Sequence, residues 1–293
     1  MSVTATRLGQ AELEQEEPLL PRGSRSSLQP RASGKRCLSC VEDLVAFTDD
    51  EVEAHQRLLD LAAVKLSAES TVQEEALRHF WEKMVGGEYQ AKSKRWRELG
   101  FQGDDPRTDF RGGGFLALRC LCYLVDHHLE ETKRWVEEAR RGECEYLFSA
   151  ACINVCGLLL VHLELNAQSI VAPVKSARPA CNLALKRFVR RLPSCESEFQ
   201  AFGELFAAAV ERMHREWRAF CTRTPGANLM HFGEALESVS GALECALSTS
   251  SEPTAALRDA EGSGLCARLA CWFARLRSAL LCGLLAMFGS CCV

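Results

Sequence analysis

A chain of 293 residues has room for one large domain with tails or for two small domains. Its apolar share of 47% provides for a substantial core, while a net charge of −4 excludes bulk attraction to nucleic acid, and no nucleic-acid partner is expected. Sixteen cysteines are scattered through apolar runs, and the N-terminus lacks the apolar h-region of a secretory signal. The thiols are therefore expected to be mostly reduced, in a cytoplasmic setting.

Residues 1–45 contain Pro18, Pro21 and Pro30 among many Ser and Arg, with no sustained apolar period. Such a composition buries too little surface to offset ordering entropy, so a disordered tail is expected. Cys37 and Cys40 make a single CxxC, but no second ligand pair follows nearby, so no metal site is expected. Helical periodicity begins near residue 49, with Asp49 and Asp50 as candidate caps and Val52, His55, Leu58, Leu59, Ala62 and Leu66 on one face. A second stripe runs Val72, Ala76, Leu77, Phe80, Trp81, Met84 and Val85, ending at Gly86-Gly87.

From Trp96 to Leu118 the chain reads W-R-E-L-G-F-Q-G-D-D-P-R-T-D-F-R-G-G-G-F-L-A-L. Gly100, Gly103, Gly112, Gly113 and Gly114 each weaken a helix interior, and Pro106 biases Asp105 away from helical backbone. Asp104, Thr108 and Asp109 bring short oxygen-bearing side chains suited to capping or turn-holding. Trp96, Leu99, Phe101, Phe110 and Phe115 are large apolar anchors. Together they predict a long, ordered loop pinned to a core, with the always-charged Arg111 followed at once by three glycines. Ordered loops on rigid scaffolds are where function concentrates.

Residues 115–129 are apolar nearly all round, as in a buried helix. Residues 146–165 are more apolar still, and 147–163 hold no charge, which raises the alternative of a membrane span. That run falls short of the ~20 residues a span needs. It also carries Asn154, Gly157 and His162, and polar groups are costly in lipid, so a core helix is expected. Six basic residues and no acid lie between Lys175 and Arg191, a solvated face or a site for an anionic surface. Further stripes run Phe199, Phe202, Phe206, Ala209, Val210, Met213, Trp217, Phe220 and then Leu229, Phe232, Leu236, Val239, Leu243. No stretch alternates like a strand. The fold class is all-α, with a helical domain over 46–247.

Residues 248–263 read as a linker, and 264–293 as an apolar, cysteine-rich segment whose final 16 residues are uncharged. As a helix those 16 would reach roughly 24 Å, short of a bilayer core. Ser290 stands where a prenylated cysteine would be, but Cys282, Cys291 and Cys292 are candidates for acylation, so this segment is expected to associate peripherally with a membrane.

The chain has no G-x-x-x-x-G-K-[ST], G-x-S-x-G or H-E-x-x-H, so no independent hydrolase site and no cofactor are expected. Adjacent His127 and His128 diverge on a helix, and Cys152 and Cys156 read as small core hydrophobes. Arg111 remains. By physical argument alone it pairs with Asp104, Asp105 or Asp109 to hold the loop, since ion-paired arginines are the commoner kind. The sharper alternative is a cation supplied to another protein's phosphoryl-transfer site.

The stretch Trp96, Leu99, Gly100-Phe101-Gln102, Asp104-Asp105-Pro106, Thr108-Asp109-Phe110-Arg111-Gly112 and Gly114 closely resembles the signature of the ELMO (engulfment and cell motility) domain. It is most similar to the branch of that family that activates small GTPases. Tyr146, Phe148, Ile153, Asn154, Trp217 and Met230-x-Phe232 match later landmarks, so the resemblance covers roughly residues 70–245. It implies a single multi-helix domain that stimulates GTP hydrolysis by an Arf- or Arl-family GTPase, with Arg111 acting in trans. With an arginine supplied in trans, Asp109 is placed to orient or partly neutralise it and Gln102 to contact the partner's switch region. The alternative it leaves is a non-catalytic module that docks a GTPase or scaffold partner. Ala117-Leu118-Arg119-Cys120 departs from the family's usual Gly-Leu and small or amide residue, a difference that bears on partner choice.

Overall fold

The computed structural model describes residues 48–141, 144–165, 188–189, 192, 198–250 and 252–259. The tail expected over 1–45, the six basic residues between Lys175 and Arg191, and the segment 264–293 with Cys282, Cys291 and Cys292 lie outside them. Among the described residues there are helices and 3-10 turns but no strand, as the periodicity predicts.

Helix α1 (Asp49–Ala63) starts at a capping box. Thr48 accepts the Glu51 N–H at 3.3 Å while Glu51 accepts the Thr48 N–H at 2.8 Å, so Asp49 and Asp50 fill the first turn instead of capping it. Ala54, Leu58 and Ala62 face inward, and Val52 is left on the solvent side. Helix α2 (Thr71–Met84), capped by Ser70, buries Ala76, Leu77, Phe80 and Trp81. A single turn, α3 (Arg95–Glu98), and a 3-10 turn (Pro106–Arg111) follow.

Helix α4 (Gly114–His127) is the hub, in contact with α1, α2, α5 (Leu129–Ala139), α6 (Phe148–His162) and α7 (Glu198–Arg223). Helix α6 carries no charged residue because it is enclosed: α4, α5, α7 and α8 (Phe232–Thr249) surround it. Its one buried histidine, His162, bonds Ser240 Oγ of α8 through Nε2 at 3.0 Å. The core reading of this run holds, and no described helix is long and apolar enough to cross a membrane.

The helical body extends past the boundary expected at residue 247. Helix α8 continues to Thr249, and α9 (Pro253–Arg258) lies within the stretch expected as a linker. Pro253 preorganises its first turn, Leu257 is buried, and Arg215 Nη2 donates to the Leu257 carbonyl at 2.9 Å. Ser- and Thr-rich flanks hid one apolar anchor.

Of the described cysteines, Cys120, Cys122, Cys152 and Cys156 are free thiols, whereas Cys144 and Cys221 are joined in a disulfide. The expectation of reduced thiols therefore fails for that pair. Across their separation of 77 positions nothing in sequence signals that the α5–α6 connection and the end of α7 meet.

Candidate functional site

The loop from Leu99 to Gly114 is built on an aromatic cluster. Trp96 is fully buried and its indole N–H donates to the Gln90 carbonyl at 2.9 Å. Trp81, Phe80 and Phe101 pack around it at ring separations of 4.9, 6.4 and 5.4 Å, and Phe101 meets Phe110 at 5.9 Å. Both ends of the loop's apolar path are thus anchored, as the large residues at 96, 101 and 110 imply.

Gly100 is where the loop touches α6. Its φ is +86°, and a Cβ there would lie 2.2 Å from the Phe148 backbone nitrogen. Only glycine permits this approach. In the gap, the Ala150 N–H donates to the Gly100 carbonyl at 3.0 Å and Ser149 Oγ donates to the Leu99 carbonyl at 2.7 Å. At the far end, Gly114 has φ +57° and sits against the Val64 carbonyl, which accepts the Phe115 N–H at 2.9 Å. The buried Gln73 amide holds that outer wall by accepting the Ser67 N–H at 2.6 Å and donating to the Lys65 carbonyl at 3.0 Å.

Each acid of the loop has a partner other than Arg111. Asp104 pairs with Arg97 Nε at 2.7 Å. Asp105 caps the 3-10 turn by accepting the Arg107 N–H at 3.1 Å, and pairs with Arg107 Nη1 at 3.3 Å and Lys92 at 3.4 Å. Arg107 is further held by Glu74 of α2. Asp109 accepts the Gln102 N–H at 2.7 Å and the Thr108 hydroxyl at 3.2 Å, and Thr108 also donates to the Asp105 carbonyl. Burial pushes the Asp109 carboxyl above its ordinary range, against those hydrogen bonds and the field of Arg111. Gln102 and Thr108 are exposed, and Pro106 is buried at the start of the turn.

Arg111 ends the turn and is exposed. It makes no ion pair among the described residues, and the loop-holding pair that physical argument favoured for it belongs to Arg107. Gly112 continues in helical backbone, φ −91° and ψ −26°, while Gly113 packs where a Cβ would lie 2.5 Å from that of Ala117. The structure therefore brings Trp96, Gly100, Phe101, Gln102, Asp104, Pro106, Thr108, Asp109, Phe110, Arg111, Gly112 and Gly114 into one loop. It adds Val64, Gln73, Glu74 and Ser149, which hold that loop and carry no sequence signal. No cluster of metal-ligating side chains occurs among the described residues. Chemically, the loop presents an exposed arginine with no ion pair among the described residues, on a braced support.

An all-helical body carrying this braced glycine–arginine loop defines an ELMO-type domain. The pattern of the ELMO/CED-12 family matches residues 56–236, more than half of the chain, and the chain belongs to that family. It is similar to ELMO domain-containing protein C of Dictyostelium discoideum, 38% identical over 34% of this chain and 16% of that protein. It is also similar to human ELMO domain-containing protein 2, 27% identical over 52% of this chain and 51% of the relative, and to human ELMO domain-containing protein 3, 39% identical over 41% and 36%. The matched stretches span about half or less of these relatives' own lengths. No solved structure matches the chain.

Proposed function

We propose that this protein is a GTPase activator for small GTPases of the Arf and Arl families, supplying Arg111 in trans to the hydrolysis transition state. The observation that carries the reading is the state of Arg111: exposed, with no ion pair among the described residues, in a loop where every neighbouring acid is otherwise engaged. Phosphoryl transfer needs positioned positive charge against oxygens that gain charge, and little else from a protein. Arginine stays protonated and bridges two oxygens with its planar fork, which lysine cannot do. A cation already committed to Asp104, Asp105 or Asp109 would have to break that pair first. The signature around Arg111 is intact, and membership of the ELMO/CED-12 family supports the same reading. We further propose that the segment 264–293, with Cys282, Cys291 and Cys292, holds the protein peripherally at the cytoplasmic side of a membrane.

The test is single-turnover GTP hydrolysis by a panel of Arf and Arl proteins, with the full chain as wild type and as Arg111→Lys, with and without lipid vesicles. Stimulation on the order of 10³-fold or more is expected for the cognate GTPase, with at least ~10²-fold of it lost in the variant at unchanged melting temperature and unchanged GTPase binding. Binding without stimulation would make the protein a docking module instead. Stimulation that survives Arg111→Lys would remove the role given to this residue.

A further inference from the structure

The bonded pair Cys144–Cys221 takes no part in the reading above. Both residues are partly exposed, whereas Cys120, Cys152 and Cys156 are sealed in the core. Their Cα atoms are 6.2 Å apart, inside the range a disulfide spans. Other contacts join the same two segments. The Trp217 indole N–H, one turn before Cys221 on α7, donates to the Cys144 carbonyl at 3.0 Å. Tyr146, two residues after Cys144, stacks on Phe232 at 5.2 Å and packs near Trp217 at 6.4 Å. A pair held together by its surroundings but open to solvent suits reversible exchange, the use disulfides have in reducing compartments.

The position of Cys144 gives the pair a target. It lies in the connection between α5 and α6, four residues before Phe148, and that connection runs straight into the residues that hold the Arg111 loop. Ser149 and Ala150 carry the hydrogen bonds to Leu99 and Gly100, and Gly100 touches the Phe148 backbone. Other anchors of the loop, through Val64 and Glu74, come from α1–α2, and through Lys92, Trp96 and Arg97 from the segment around α3.

We propose that Cys144 and Cys221 form a reversible dithiol–disulfide site whose closure fixes the start of α6 and, through it, the Arg111 loop. A low-molecular-weight disulfide such as oxidised glutathione is the oxidant. One cysteine thiolate attacks its sulfur and expels one glutathione, forming a mixed disulfide. The second cysteine thiolate then displaces the other glutathione. Two electrons pass from the protein pair to the glutathione sulfurs, and the two thiol protons end on the released glutathiones. A dithiol reductant runs the same exchange backwards. The inference concerns the loop's support and stands apart from the GTPase reading.

The experiment compares the full chain after oxidised glutathione with the same protein after dithiothreitol, alongside Cys221→Ser. Readouts are a peptide map of linked cysteines, the melting temperature and amide hydrogen exchange. A Cys144–Cys221 link is expected in the oxidised wild type, with a melting temperature raised by roughly 5–15 °C because the bond closes a long loop of the unfolded chain. Exchange should slow by several-fold in both 144–150 and 99–111. Cys221→Ser should behave as the reduced wild type under both treatments. The oxidised and reduced wild types make the comparison without any substitution, so a variant that folds poorly does not blunt it. Absence of the 144–221 link overturns the proposal, and so does a link that leaves exchange in 99–111 unchanged.

Discussion

Asp109 and Arg111 lie two positions apart in one turn, yet they do different work. The Asp109 carboxylate closes the loop by accepting the Gln102 N–H and the Thr108 hydroxyl. Burial raises its pKa despite those bonds. A carboxyl raised in the fold contributes stability below its unfolded value near 3.8 and loses it as pH rises through the folded value, so at pH 7 the charge is a net cost. Asp109→Asn removes that cost and keeps one acceptor oxygen for the Gln102 N–H. Its urea midpoint at pH 7 should match wild type closely, whereas Asp109→Ala, lacking any acceptor, should lose about 1 kcal/mol. Equal losses in the two variants would show that the hydrogen bond does not hold the loop. The sequence offers three acids near Arg111 and six bases from Lys92 to Arg111 itself, so the pairing is set by the path of the loop. That is why physical argument placed Arg111 in an ion pair that Arg107, anchored also by Glu74, makes instead.

Elements were legible in proportion to the length of their apolar stripe. Ala76, Leu77, Phe80 and Trp81 of α2 are buried as their spacing requires, and so is the all-round apolar α6. Helix α5 was not legible: its buried set is Thr132, Trp135, Val136 and Ala139, set among six charged residues, too few to mark a stripe. Within the signature, sequence treats the glycines alike, but the structure separates them. At Gly100 a methyl would meet the Phe148 nitrogen at 2.2 Å on a backbone with φ +86°, whereas at Gly103 nothing lies nearer than 3.9 Å. Gly100→Ala must therefore accept both left-handed strain of ~1–2 kcal/mol and displacement of α6 from the loop, and should cost several kcal/mol or prevent folding. Gly103→Ala should shift stability by no more than ~0.5 kcal/mol. Thermal melts of the two variants check this, and a mild Gly100→Ala would mean that the loop and α6 part easily.

At the scale of the whole molecule, the all-α class follows from periodicity, but the assembly of the site does not. Ser149 reaches Leu99 across 50 residues and Gln73 braces a segment beside Gly114, contacts that no local pattern announces. The same closure of the body buries histidines on several helices. Burial lowers the pKa of His55, His128 and His214, the last despite its 2.8 Å bond to Glu138. His162 is lowered furthest, from 6.5 to about 4, by burial, with its Nδ1 unpartnered and Nε2 on Ser240. A base lowered in the fold contributes stability above its unfolded value and loses it as pH falls toward the folded value. The protein should therefore weaken as pH drops from 6.5 to about 4, with His162 alone accounting for something on the order of 3 kcal/mol of that loss. His162→Gln keeps a partner for Ser240 and cannot take up the proton. Its urea midpoint should lie below wild type at pH 7.5, and the gap should narrow steadily toward pH 4.5, since carboxylate titrations common to both proteins cancel in the difference. A gap that stays constant across that range would place the acid sensitivity of the fold elsewhere than in the seam between α6 and α8.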